Sequence, residues 1–231
     1  MSIAKKVAGQ SAWFLVGNVY TLIVGFTFQI YLARQIGAEG LGLFSLLQTG
    51  VGTFSSLLGF GVAQAMLRFI PEHIKRREYA ELHCLVWGGT LLIAASSLFG
   101  VVALLSAMPW MLQYWPLLVG QEGVVLAGIL MLPLSLLLYV SNEALRGFCD
   151  IRYIVIGGNF LQLTVKVTLS VVVFSLGYMV LGYVWAVVVS MLVALIWMQV
   201  GLWRHLRQYP SPHRFSLHLL PAWKSYAKLM Y

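Results

Sequence analysis

Acidic residues are scarce in this 231-residue chain, which holds 7 Asp and Glu against 15 Lys and Arg, and only 10% of its residues carry a charge. A soluble domain of average usage is about a quarter charged. So few charges cannot supply a water-facing surface for a chain of this length. Cysteine is also nearly absent: Cys84 and Cys149 are the 2 present, too far apart for metal-ligand spacing or a disulfide framework. They are expected as reduced thiols near the cytoplasm. Catalytic groupings are missing as well. Of the 5 histidines, His73, His205, His213 and His218 fall in segments expected to be cytoplasmic, and His83 at a helix start. No nucleophile stands beside a base, and no acids, bases or metal ligands cluster at one depth, which argues against an enzyme. No cofactor or metal is implied.

What the chain has is apolar sequence: 60% of residues are hydrophobic and the mean hydropathy is +0.86. Runs of roughly 20 apolar residues predict membrane spans over 12–32, 43–66, 82–105, 124–140, 153–176 and 179–203. The fold class is therefore all-α, a polytopic membrane bundle of about six transmembrane helices. The first run is too long for a signal-peptide core, and no small-x-small cleavage site closes it. It is expected to remain as an anchor.

The net charge of +8 sorts by loop rather than forming one basic face, which excludes nucleic acid as the reading. Lys5 and Lys6 precede the first span. Arg68, Lys75, Arg76 and Arg77 follow the second, Arg146 and Arg152 the fourth, and Arg204, Arg207 and Arg214 the sixth. The intervening loops hold only Arg34. By the positive-inside rule both termini are cytoplasmic, and Trp110, Tyr114 and Trp115 suit the outer interface. A β-barrel is the alternative raised by residues 161–170, which alternate apolar and polar. Barrels need that period along the whole chain, and Thr164 and Thr168 can bond back to the preceding helical turn. Helix is the better reading. The tail, 208–231, carries Pro210, Pro212 and Pro221 and reads as a connector with the truncated start of a seventh helix, apart from a six-helix lobe over 1–207.

Several helical faces stand out. Gly52, Ser56, Gly59 and Ala63 recur at steps of four, three and four, a small-residue stripe that predicts close helix packing. Asn18, Thr21, Gly25 and Gln29 make a polar stripe on the first span, serving either interhelical hydrogen bonds or a wet cavity. The fifth span carries Lys166 near mid-depth, with Asn159, Gln162 and Ser170 expected on the same face. A lysine there costs ~2.5–3.5 kcal/mol on insertion scales, and no acid lies inside a predicted span to offset it. A hydrated cavity around Lys166 is the favoured account. Arg34 would face the same cavity, unless it pairs with Glu39. Together the two cations would attract an anion, and arginine's planar fork beside a lysine suits phosphate. Pro133 is expected to kink the fourth span, and Glu143 with Arg146 to form a helix-end ion pair.

The stretch from Tyr31 to Leu46, YLARQIGAEGLGLFSL, followed by Gly59-Phe-Gly-Val-Ala63 and Arg68-Phe-Ile-Pro-Glu72, resembles the amino-terminal part of polysaccharide-biosynthesis exporters. These are the O-antigen and teichoic-acid flippase branch of the multidrug and oligosaccharidyl-lipid exporter superfamily. Asn142-Glu-Ala-Leu-Arg-Gly147 and Leu176-Gly-Tyr-Met-Val-Leu-Gly182 are similar to its segments around the fourth and sixth helices. The resemblance covers nearly the whole chain but one lobe only; 218–231 departs from the family pattern. It implies a flippase of the cell (inner) membrane that moves a lipid-linked oligosaccharide, usually on a polyprenyl diphosphate, for surface polysaccharides such as lipopolysaccharide O-antigen. Implied partners are that lipid-linked sugar, membrane lipid, and a second lobe or polysaccharide polymerase. The substrate-binding residues would be Arg34, Lys166, Gln162, Asn159, Asn18 and Gln29. Two alternatives stand beside it: a multidrug or cation exporter of the same superfamily, and a non-transporting subunit of a polysaccharide assembly complex.

Overall fold

The computed structural model describes residues 3–59, 61–114 and 122–210, which are helical with short connections. In chain order the helices are α1 (Ile3–Leu58), α2 (Val62–Arg76), α3 (Tyr79–Tyr114), α4 (Glu122–Gly147), α5 (Ile151–Ile154), α6 (Leu163–Ser175) and α7 (Val180–Arg207). A π-helical segment, Val155–Gln162, joins α5 to α6. No strand occurs among the described residues, so the alternation at 161–170 belongs to helix. Thr164 donates its hydroxyl to the Phe160 carbonyl at 2.6 Å, as a membrane helix permits.

Among the described residues, five helical stretches are long and apolar enough to cross a membrane: Ser11–Leu58, Tyr79–Trp110, Glu122–Gly147, Ile151–Ser175 and Val180–Arg207. The first has 48 residues. At ~1.5 Å per residue that is ~72 Å, more than twice the ~30 Å hydrocarbon core. It breaks at Gly37, where φ 69 and ψ −177 are non-helical. α1 is therefore two limbs, each of span length, which recovers six crossings with the glycine-punctuated connection where the sequence placed it.

The second limb is shorter than expected. The predicted span 43–66 is interrupted after Leu58, and α2 starts at Val62 behind Gly61, whose φ of 66 is left-handed. Glycine takes that conformation without the Cβ clash that other residues meet. The chain is thereby redirected into α2, which is strongly one-sided: Val62, Ala63, Met66, Phe69, Ile70 and His73 are buried.

α4 is the central helix, packed against α7, α3, α2 and α1. One apolar cluster gathers Met66, Ile70, Leu85, Leu132, Leu145 and Leu202. A second gathers Phe28, Leu32, Val125, Met131, Tyr183 and Val184. Outside them Leu15, Leu22, Phe26, Leu98, Phe99 and Ile196 are exposed, an apolar exterior that requires lipid.

The helix ends that charge assigns to the cytoplasm lie together. His83 Nε2 is 2.8 Å from the Tyr209 carbonyl, tying the start of α3 to the end of α7. His205 Nε2 is 3.0 Å from Asp150 Oδ2, tying the same end of α7 to the α4–α5 turn. Glu143 pairs with Arg146 at 3.0 Å, as expected of a helix-end pair. Neither Cys84 nor Cys149 is in a disulfide. Trp110 is exposed near the end of α3, whereas the Tyr114 and Trp115 side chains and residues 211–231, including the expected start of a seventh helix, lie outside the described residues.

Candidate functional site

The second limb of α1 lines a cavity of about 1060 Å3 together with its first limb, α2, α4, the π segment, α6 and α7. Its polar lining includes Gln29, Gln48, Ser55, Ser56, Gln64, Arg68, Ser135, Tyr139, Gln162 and Lys166. Two hydrogen bonds fix the second limb and the start of α2 against α4: Ser55 Oγ to Ser135 Oγ at 3.0 Å, and Gln64 Nε2 to Tyr139 OH at 3.3 Å. Ring faces of Phe44 and Tyr183, packed edge to face at 4.8 Å between centroids, form part of the apolar wall.

Lys166 is half-buried and lines this cavity, as its position at mid-span predicted. Its Nζ lies 5.9 Å from the Phe28 ring centroid, and no Asp or Glu is among the lining residues. No described carboxylate comes within ion-pairing distance of it. Gln162 and Gln29 share the cavity.

Asn159 and Asn18 do not line it. Asn159 Nδ2 donates to Thr21 Oγ1 at 3.0 Å and approaches Asn18 Oδ1 at 3.5 Å, closing the π segment onto α1. The expected common face of Asn159, Gln162, Lys166 and Ser170 assumed regular α-helix. Val155–Gln162 is π-helical instead, and i→i+5 bonding widens the turn, so the step of three from Asn159 to Gln162 no longer returns to the same side. Ser170 is buried and bonds the Lys166 carbonyl at 2.6 Å. Of the two accounts of the polar stripe on the first span, both hold, at different positions: hydrogen bonding at Asn18 and Thr21, cavity lining at Gln29.

Arg34 is also displaced from its expected role. It is exposed and absent from the lining. It does not pair with Glu39 either, because the break at Gly37 puts the two residues on different limbs of α1. The second cation of the cavity is Arg68, which sequence reading assigned to the cytoplasmic loop cluster. It was missed because the span was expected to continue straight to 66; the break before Val62 turns α2 and brings Arg68 into the cavity lining.

The small-residue stripe divides: Ala63 is buried in the first apolar cluster, as the expected helix contact, whereas its other members have a different role. Gly52, Ser56 and Gly59 line the cavity, and a Cβ at Gly52 would meet nothing within 4 Å. Gln48, one turn before Gly52, continues the same face. A glutamine in register with that stripe was the available sign that it faces a polar space.

The sequence profile of the family described as polysaccharide biosynthesis protein matches residues 7–224. The chain belongs to that family. No curated protein matches at a significant level. Among solved structures, this member of the polysaccharide biosynthesis family is similar to an outward-facing multidrug resistance MATE family transporter of the MOP superfamily. The TM-score is 0.68 at 18% identity, covering 91% of this chain and 49% of that one. It is similar to a MATE structure in the bent conformation, with TM-score 0.68, 18% identity, and coverage of 94% and 50%. It is also similar to a MOP superfamily transporter from Pyrococcus furiosus, described by the reversed polarity of its binding pocket, with TM-score 0.68, 18% identity, and coverage of 91% and 48%. At this identity the likeness concerns the fold. The chain spans about half the length of each of these structures.

Proposed function

We propose that this chain is one lobe of a transporter that moves a lipid-linked oligosaccharide bearing phosphate across the cell membrane for surface polysaccharide biosynthesis. The observation that carries the reading is the pairing of Lys166 and Arg68 in one polar cavity whose lining has no carboxylate. Such a cavity repels cations. It favours an anion that a guanidinium can grip bidentately and an ammonium can neutralise as a point charge. Four glutamines around it, Gln29, Gln48, Gln64 and Gln162, offer both donors and acceptors, the pairing that sugar hydroxyls need.

The second limb of α1 lines the cavity with the small residues Gly52 and Ser56. In a two-lobed transporter the cavity would face a second lobe. Residues 1–207 would form the first lobe and 208–231 the connector, with the second lobe, or a polymerase of the same assembly, as partner.

The deciding experiment compares ligands on the purified chain. Polyprenyl-diphosphate-linked oligosaccharide should bind, and binding should weaken at least about tenfold, or ~1.4 kcal/mol, in Lys166→Ala. A lipophilic cation should compete poorly. Preference for the cation would instead assign the chain to drug export, and proteoliposomes that bind the lipid-linked sugar yet never translocate it would point to an assembly subunit.

A further inference from the structure

Acids run out along one edge of the molecule. The chain holds 7 of them, all within the described residues, so the partner of each base can be sought among them. Glu39 and Glu122 begin the second limb of α1 and α4, at the end opposite the basic clusters. At the basic end Glu72 pairs with Arg76 at 2.6 Å and Glu143 with Arg146 at 3.0 Å, while Glu78 and Glu81 close on His73 at 2.9 and 3.6 Å. The α2–α3 turn is therefore balanced in number, with Lys75, Arg76 and Arg77 against Glu72, Glu78 and Glu81.

The edge formed by α5 and the end of α7 is not balanced. Its acid is Asp150, and both carboxylate oxygens are engaged: Oδ2 with His205 Nε2 at 3.0 Å, and Oδ1 with the Arg152 backbone N–H at 3.2 Å. Arg152, Arg204 and Arg207 are exposed there, and among the described residues no carboxylate pairs with any of their side chains. Beyond α7, residues 211–231 add Arg214, Lys224 and Lys228 and no acid. Topology alone does not explain this surplus, because the α2–α3 turn keeps its bases while matching each with an acid.

The depth of the surplus follows from α7. From Val180 to Trp203 the helix carries no charge, and at ~1.5 Å per residue it runs ~36 Å, just beyond the ~30 Å hydrocarbon core. Trp203 and Arg204 therefore stand at head-group level. Trp203 is 48% exposed, and Arg207 lies over its ring with Cζ 3.4 Å from the centroid. Amphipathic rings anchor helices at this level, and a stacked guanidinium keeps its edge donors free. Arg204 is steadied by Tyr153, whose hydroxyl accepts from Nη1 at 3.2 Å. That bond uses one of five donors and holds the cation against α5, where Arg152 precedes Tyr153.

We propose that the α5–α7 edge binds the head group of an anionic phospholipid of the cytoplasmic leaflet, with its phosphate on Arg204 and Arg152 and its glycerol region beside Trp203. Guanidinium groups grip phosphate through paired N–H donors, and an anionic head group supplies the negative charge that this edge lacks. Phosphatidylcholine carries its own cation, so it leaves the surplus uncompensated. None of Arg152, Trp203, Arg204 and Arg207 lines the cavity, so the assignment stands apart from the function proposed above.

The test titrates the full chain, purified in a neutral detergent, with phosphatidylglycerol and with phosphatidylcholine and counts bound lipid by native mass spectrometry. Phosphatidylglycerol should bind at least about fivefold tighter, the scale of one basic side chain at an anionic surface, and added salt should erode the preference. Arg152→Gln with Arg204→Gln should bring the two lipids level, whereas Arg152→Lys with Arg204→Lys should keep phosphatidylglycerol ahead. In wild type, a phosphatidylglycerol with a photoreactive head group should label 150–153 and 203–207 and leave 72–81 unlabelled. Equal affinity of wild type for the two lipids, a preference that survives in the glutamine variant, or labelling of 72–81 as strong as that of 203–207 would each overturn the proposal. So would labelling of 203–207 by a polyprenyl diphosphate probe that phosphatidylglycerol fails to displace, which would give the edge to the transported lipid. If the glutamine variant does not fold, the wild-type labelling pattern alone decides.

Discussion

The Lys166 ammonium lies 5.9 Å from the centre of the Phe28 ring and has no described carboxylate partner, although both residues sit inside membrane-spanning helices. A cation–π contact at that distance contributes ~0.5–1 kcal/mol, or ~2 when desolvated, against ~2.5–3.5 kcal/mol for placing a lysine at helix centre. The ring alone does not offset the charge. The remainder must come from water and from the polar groups that share the cavity with it, Gln29 and Gln162 among them.

That imbalance separates stability from binding. Lys166→Met removes the charge and keeps the apolar stem, so thermal stability in detergent should stay level or rise. Binding of a diphosphate lipid should fall at least about tenfold. Paired melting and titration measurements on the purified chain check this; a variant that loses both in step would mean that Lys166 is structural.

Arg34 and Arg68 give the sharpest contrast between what sequence and structure predict. Arg68 lines the cavity and Arg34 does not. Arg68→Ala should therefore weaken diphosphate binding by ~1.5–3 kcal/mol, the range for a hydrogen bond to a charged group, whereas Arg34→Ala should leave it unchanged. Isothermal titration of the two variants side by side distinguishes them. The reverse ranking would restore Arg34 and place the binding site nearer the Gly37 break.

The membrane class, most of the spans and the place of Lys166 at mid-span were legible in the sequence because hydropathy and intramembrane charge are local properties, readable from a window of residues; the interruption of the predicted span 43–66 after Leu58 was not. The role of Arg68 was not, because it depends on a backbone break at Gly61 that redirects α2, and a glycine in an apolar run does not announce its φ. Asn159 was misplaced for a related reason: eight residues of π-helix change the rotation per residue without any change in composition. Gly52 and Ser56 were recognised as a face but given the wrong neighbour, since small residues line openings and helix contacts alike.

Asn159 illustrates a polar contact with a structural role. Its amide joins the π segment to Thr21 at 3.0 Å. Interhelical hydrogen bonds inside membranes average ~0.6 kcal/mol, with a maximum near ~1.7. Asn159→Ala should accordingly lower stability by about that average, and leave ligand affinity intact. A thermal melt combined with the binding assay checks both halves; lost affinity without lost stability would return Asn159 to the site.

Glycines at closed and open positions should respond oppositely to a methyl group. At Gly201 a Cβ would lie 2.8 Å from Tyr153 Cδ1 and 2.9 Å from Cγ, closer than carbon atoms pack, and the ring would have to shift. Tyr153 is not free to do so cheaply, because its hydroxyl accepts from Arg204 at 3.2 Å and its ring packs on Trp197 at 5.7 Å. Gly201→Ala should cost about 1–3 kcal/mol, the usual range for overpacking. Gly52→Ala, with open space around it, should cost nothing measurable from packing, and as a better helix former should offset up to ~1 kcal/mol of backbone entropy. Its methyl would project into the cavity, so its effect should appear in ligand affinity instead. Unfolding both variants under identical detergent conditions reads the difference directly: equal destabilisation would mean that the small-residue face is packed against protein after all, and the cavity would have to be redrawn.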